Sequence, residues 1–183
     1  MHTRFLFFAG ERLSCIGQPD WGIGQVLEDA AGPIIEVFFE YLGRRTIDTG
    51  QDSVARVETG NERHPILDLL AVEDFNWKRA HHNIYIVLLD KAAFDHRRFR
   101  EANRHYSGGK PCIYVGMTGL PPEVRLRNHK KGHKSNYYVE RYGVRLLRNL
   151  YESFNPMPYK LAQVVEVEIA ERLRSQGYAV WQH

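Results

Sequence analysis

NIYIVLL, Asn83 to Leu89, followed after a charged segment by CIYVG, Cys112 to Gly116, decides how this chain is read. Each is an unbroken apolar run of strand length, and a strand without polar alternation is one covered on both faces. The two runs are therefore expected to be neighbouring inner strands, one carrying Tyr85 and the other Tyr114. Between them, Ala92 to His105 is charged, with Phe94 and Phe99 as packing residues, which predicts a helix; Ser107-Gly108-Gly109 supplies a turn. Close behind comes Arg125-x-x-x-His129, a one-turn helical step that sets both side chains on one face.

The chain has 183 residues, 43% apolar and 12% aromatic, enough for packed cores in one large or two small domains. Cys15 and Cys112 are far apart in sequence and lack C-x-x-C spacing, which argues against a disulfide framework or a zinc knuckle and fits a reducing cytoplasm. The opening MHTRFLFFAGERL is too short in apolar residues to span a membrane and has no signal-peptide layout, so no membrane partner is expected. His129 and His133 stand four apart, but Gly132 is expected to end the helix between them. With no cysteine or third histidine nearby, a structural zinc site is rejected.

Charge divides the chain. Residues 1–82 hold 8 Lys/Arg against 13 Asp/Glu, whereas 83–183 hold 17 against 9. From Arg125 to Arg148 the cations Arg125, Arg127, Lys130, Lys131, Lys134, Arg141, Arg145 and Arg148 meet only Glu140. Such a run fits a solvated helical face equally well. The interleaved Tyr137, Tyr138 and Tyr142 favour nucleic acid, because rings among cations suit stacking beside phosphates. Arg127, Lys130, Lys131, Lys134 and Asn136 are the expected DNA contacts.

In the acidic half, Phe5–Ala9, Gly24–Leu27, Ile34–Tyr41 and Thr46–Ile47 read as short strands punctuated by glycines. They predict a small β-barrel over 1–65, joined by a connector at 66–82 to a second domain at 83–183. The glycines of Trp21-Gly22-Ile23-Gly24 lack the third glycine and following helix of a dinucleotide site, and are read as turn residues. The segment PDWGIGQVLEDAAGPIIEVFFEYLGRRTID, Pro19 to Asp48, resembles the SH3-like or Tudor-like domains appended to bacterial repair helicases and transcription-repair factors. That resemblance implies a module that recruits the chain to DNA or to a protein such as RNA polymerase or a repair factor, and the acidic balance of this half favours the protein partner.

Residues 83–183 resemble the GIY-YIG nuclease superfamily. Asn83-Ile84-Tyr85 stands for the first element and Tyr114-Val115-Gly116 for the second. MTGLPPEVRLRNH, Met117 to His129, matches the loop and arginine-bearing helix; YKLAQVVEVEIAERLRSQGYAVW, Tyr159 to Trp181, matches the later helix with its metal-binding glutamate. Asn83 departs from the family's first glycine, and the spacer between the tyrosines is longer than usual, suggesting an inserted helix. The implied fold is α+β, a short antiparallel sheet flanked by helices behind the SH3-like barrel.

On the last helix, Leu161, Ala162, Val165, Ile169 and Leu173 gather on one arc with Glu166 at its edge, whereas Glu168 falls on the polar side. A carboxylate beside an apolar face is costly unless paired or metal-bound, which favours Glu166 as the ligand. The spacing alone would equally describe a surface glutamate with its stem on the core. The resemblance implies DNA phosphodiester hydrolysis with Mg²⁺ or Mn²⁺ held by Glu166. Arg125 would offset charge on the phosphoryl oxygens, Tyr85 or Tyr114 would orient the attacking water or take its proton, and His129 is the expected base. The alternative is a catalytically inactive nucleic-acid-binding module.

Overall fold

The computed structural model describes residues 6–58 and 60–182. The protein is α+β, and it divides between Phe75 and Asn76 into two compact units, each with its own sheet.

The first unit contains β1 (Arg12–Cys15), β2 (Ile23–Val26), β3 (Ile34–Phe39), β4 (Gly43–Asp48) and β5 (Val54–Arg56), all antiparallel in the order β4-β3-β2-β1-β5. Alternate residues of β3 (Ile35, Val37, Phe39) join Leu13, Val26 and Ile47 in its core, with Trp21 edge-on to Phe39 at 5.2 Å. The small barrel expected here is instead an open sheet. The three-residue β5 pairs with β1, and among the described residues no pairing joins it to β4. Of the expected strand at Phe5–Ala9, Phe5 lies outside the described residues and Phe7 makes one isolated bridge to Ala30. Gly22 takes a φ of 75°, as a turn glycine should, but Gly24 lies within β2, where a side chain would meet the Phe39 ring at 2.7 Å. The helix α1 (Pro65–Val72) buries Ile66 and Leu67 and packs on β2, so the first part of the expected connector belongs to this unit. Arg12 holds Asp68 of α1 at 2.6 Å.

In the second unit β6 (Asn83–Leu89) is flanked by β7 (Cys112–Thr118) and β8 (Gly143–Leu146), with β9 (Ala179–Gln182) outside β7. This explains the unbroken apolar run of β6: Ile84, Tyr85, Ile86 and Val87 are all buried in a central strand. Pairing is antiparallel except between β7 and β9, which are parallel. The sheet is thus mixed rather than antiparallel throughout. The reason is the long α5 (Tyr159–Ser175), a crossover that lays Leu161, Val165, Ile169 and Leu173 inward against the sheet and returns the chain beside β7 in the same direction. The insert between β6 and β7 forms a 3-10 turn at Lys91–Asp95 and α2 (Arg97–Ala102), anchored by the buried Phe99. After β7 come α3 (Pro122–Lys130) and α4 (Tyr137–Tyr142).

Two asparagine side chains act as strand partners. Asn155 donates to the carbonyl of Ile84 and accepts from its N–H, both at 2.8 Å, where β8 no longer flanks β6. Asn103, just after α2, does the same for Val180 on β9, donating at 3.1 Å and accepting at 2.7 Å.

Candidate active site

The β6–β7 register sets Tyr85 opposite Gly116, with Tyr114 two residues along β7 on the same face. The two rings lie 5.7 Å apart at 45°. Gly116 is what permits this: a Cβ there would stand 2.6–2.8 Å from Cε1 and Oη of Tyr114. The glycine after Tyr-Val therefore clears the space that the tyrosine ring crosses.

Around Tyr85 Oη three elements converge. From β7, Tyr114 Oη accepts the Tyr85 hydroxyl at 3.5 Å. From α3, His129 lies 2.8 Å away through Nε2 and is fully buried. Arg125, one turn earlier on α3, is close enough that its guanidinium opposes the rise in the Tyr85 pKa. From α5, Glu166 bears electrostatically on both tyrosines. All five candidate residues, Tyr85, Tyr114, Arg125, His129 and Glu166, are thus neighbours in the structure, although drawn from four elements.

The helix α3 is stopped so as to hold His129 in place. Gly132 takes a φ of 74°, donates to the His129 carbonyl at 3.0 Å, and is followed by a His133 N–H bond to the Asn128 carbonyl at 2.9 Å. This is a Schellman ending. The chain then turns through Lys134, a non-glycine residue with a φ of 44°, whose carbonyl accepts from Arg125 Nη2 at 3.0 Å. Two residues on, the backbone N–H of Asn136 donates to His129 Nδ1 at 2.8 Å. An N–H can only donate, so Nδ1 carries no proton, and the neutral ring must donate through Nε2–H to Tyr85. With its lone pair already committed, His129 orients Tyr85; the proton-accepting role expected of it would require losing the Asn136 bond.

Burial moves four groups of the site, Tyr85, Tyr114, His129 and Glu166, toward their uncharged forms. It raises the phenols of Tyr85 and Tyr114, lowers His129 to about 4 with Arg125 adding to the effect, and raises Glu166 to about 7. Glu166 is half-buried and makes no hydrogen bond or ion pair among the described residues, so nothing offsets its desolvation.

The expected DNA contacts divide into two sets. Arg127, Lys130, Lys131 and Lys134 are exposed on or just after α3; Lys130 Nζ reaches the Glu140 carbonyl at 3.2 Å. Asn136 has structural duties, holding His129 through its N–H and capping α4 through Oδ1, which accepts from the Tyr138 N–H at 3.0 Å. Of the three interleaved tyrosines only Tyr137 is exposed. Arg148 is paired with Glu123 at 2.6 Å. Asn83, at the start of β6, donates to the carbonyls of His81 and Leu120 and so ties together the loops before β6 and after β7. Sequence reasoning missed the supporting roles of Asn83 and Asn155, since each reads as an ordinary loop or strand-end asparagine. No helix among the described residues is long and apolar enough to cross a membrane.

Comparison with curated proteins and with solved structures gave no match. Residues 9–54 match a family described as a protein of unknown function, DUF3553, a segment that ends at the start of β5 and contains none of the candidate site residues.

Proposed function

We propose that the second unit is a GIY-YIG-type endonuclease that hydrolyses DNA phosphodiester bonds. The observation that carries this is the meeting of Tyr85, Tyr114, His129 and Arg125 around one phenolic oxygen, beside a half-buried Glu166 without a partner. A structural core has no use for a desolvated carboxylate, and a strand of DNA supplies the charge to which Arg125 responds.

A divalent cation such as Mg²⁺ or Mn²⁺ fits this donor set. Glu166 lacks the counter-charge that its burial calls for. Among the described residues no group of three or more His, Cys, Asp or Glu side chains converges, so Glu166 would hold the ion with water and substrate oxygens completing its shell. When bound, such an ion supplies Lewis-acid stabilisation of the phosphate and the leaving oxygen.

The chain's own residues supply the rest. Arg125 carries the fixed positive charge toward the phosphoryl oxygens, and its forked guanidinium suits two of them at once. Tyr85 and Tyr114, held protonated by burial, serve as oriented hydroxyls that position water and phosphate. His129 Nε2–H fixes the Tyr85 oxygen.

Labelled duplex, flap, junction and single-stranded DNA incubated with Mg²⁺, Mn²⁺ or EDTA provides the test. Cutting should require the ion and be lost in Glu166→Gln, with DNA affinity nearly retained; full turnover in EDTA or by the variant would refute the assignment. The engaged Nδ1 of His129 leaves no preformed imidazole base, which favours the second reading, a nucleic-acid-binding module without catalysis. Ion-independent binding with no cutting of any substrate selects it.

We further propose that the first unit recruits or positions the nuclease through a protein partner, such as RNA polymerase or a repair factor, in the manner of an SH3-like or Tudor-like module. Its acidic balance makes it a poor polyanion binder. Tight binding of residues 1–75 to duplex DNA at low salt would overturn that assignment.

A further inference from the structure

A second site lies next to the first. A cavity of about 510 Å³, in the size range of ligand pockets, is walled by His96, Tyr137, Tyr138 and Trp181, with Arg97 and Arg98 contributing their charges. Its aromatic wall is rigid. Trp181 stacks on the buried Phe99 at 20° and meets Tyr138 at 4.5 Å, while His96 is fixed by the Tyr142 hydroxyl at 2.6 Å. Tyr137 packs edge-on against both Tyr138 and His96, yet 50% of its surface is exposed. A ring held in place with its surface open is a stacking platform.

The polar groups are as informative. Arg98 is exposed and makes no ion pair among the described residues; Arg97 has only Glu101, at 3.6 Å, and is itself highly exposed. Asn136 also lines the cavity. Its Oδ1 caps α4, which leaves the Nδ2 donor without a protein partner among the described residues. The same residue's N–H holds His129, so the cavity and the candidate active site share Asn136. Aromatic faces, an amide donor and two arginines together match a base with its phosphate better than an apolar ligand or a cation.

We propose that this cavity takes an unpaired nucleotide of the DNA substrate, its base on Tyr137 and Trp181, its edge toward Asn136 Nδ2 and its phosphate toward Arg97 and Arg98. The assignment rests on the nuclease reading and narrows it: the favoured substrate carries a base outside the duplex stack close to the cleavage point.

The full-length protein is titrated with a duplex bearing one bulged 2-aminopurine, with the fully matched duplex and with the free 2-aminopurine deoxynucleotide. The bulged duplex should bind about tenfold tighter than the matched one, within the range that stacking on an aromatic ring supplies. Its fluorescence should be quenched. In Tyr137→Ala, an exposed position whose fold is checked by circular dichroism, and in the Arg97→Ala/Arg98→Ala double variant, that ratio should fall toward one. Equal affinity for both duplexes without quenching overturns the pocket assignment and leaves the nuclease reading intact. Tight binding of the free nucleotide with no preference for the bulge overturns the assignment to the substrate strand. Failure of the wild-type protein to bind either duplex overturns both readings.

Discussion

Replacing Glu166 by glutamine removes a carboxyl group that burial makes reluctant to ionise, and the effect on stability can be worked out apart from any activity. The group titrates near 7 in the folded chain against 4.5 for a free side chain. Between those values the folded state holds the extra proton, so stability attributable to this group falls as pH rises and is lowest above 7. Because a tenfold change in proton affinity is worth about 1.4 kcal/mol, the ionised carboxylate costs about 3 kcal/mol at pH 8 and about 1 kcal/mol at pH 5. Solvent still reaches this half-buried group and screens it, so both figures are upper values. Glutamine does not titrate. Relative to wild type, the variant should therefore gain up to about 2 kcal/mol between pH 5 and pH 8, over and above any pH-independent difference of the amide. His129 titrates in the opposite sense: its folded value near 4 costs stability as pH falls below 6.5, but it does so in both proteins and cancels in the difference. Urea denaturation of both proteins at pH 5, 6, 7 and 8, without divalent ions, reads the quantity directly. A variant-minus-wild-type stability that is flat across this range would show that Glu166 is solvated like any surface glutamate, and the argument for its role would fall with it.

In ¹⁵N-resolved NMR spectra His129 should stay neutral and Nε2-protonated at pH 5.5, because Asn136 occupies Nδ1; an imidazolium at that pH would refute the orienting role. Gly116→Ala should cost about 1–3 kcal/mol by crowding the Tyr114 ring and should lower cleavage more than binding, whereas wild-type activity would mean that the tyrosine is a bystander. Alanine at Lys130, Lys131 and Lys134 together should weaken binding to unrelated sequences alike and reduce the log–log salt slope by about one for each phosphate that these lysines neutralise. A weakening confined to one sequence would point to base reading instead.

The strands β6 and β7 were legible because both of their faces are covered, which leaves an apolar run that periodicity detects. Arg12–Cys15 and Val54–Arg56 were not, being short and polar enough to pass for turns. The opening of the first sheet and the parallel seating of β9 depend on which strand meets which, and no local pattern carries that. In the site, the tyrosines, the arginine and the glutamate stood out through the resemblance of residues 83–183 to a nuclease superfamily, since by residue type and spacing alone the tyrosines would pass for core and the glutamate for a surface residue. The work of His129 did not, because it depends on a backbone N–H seven residues away that becomes a neighbour only when Gly132 turns the chain. Trp181 was likewise invisible as part of a cavity, its neighbours Phe99 and Tyr138 coming from distant stretches.

Asn103 and Asn155 carry a consequence for how the protein behaves in a crowded solution. Each places its amide on a strand backbone where the next strand is missing, Val180 on the outer strand β9 and Ile84 on the stretch of β6 that β8 does not pair. Unpaired strand edges are templates on which a second chain can add, the first step toward aggregation. Two side chains of ordinary composition thus cap the sheet against self-association. Replacing either one by leucine would leave a buried donor and acceptor unpaired, so the damage would show first as lost stability and, once that edge opens, as precipitation that grows with protein concentration.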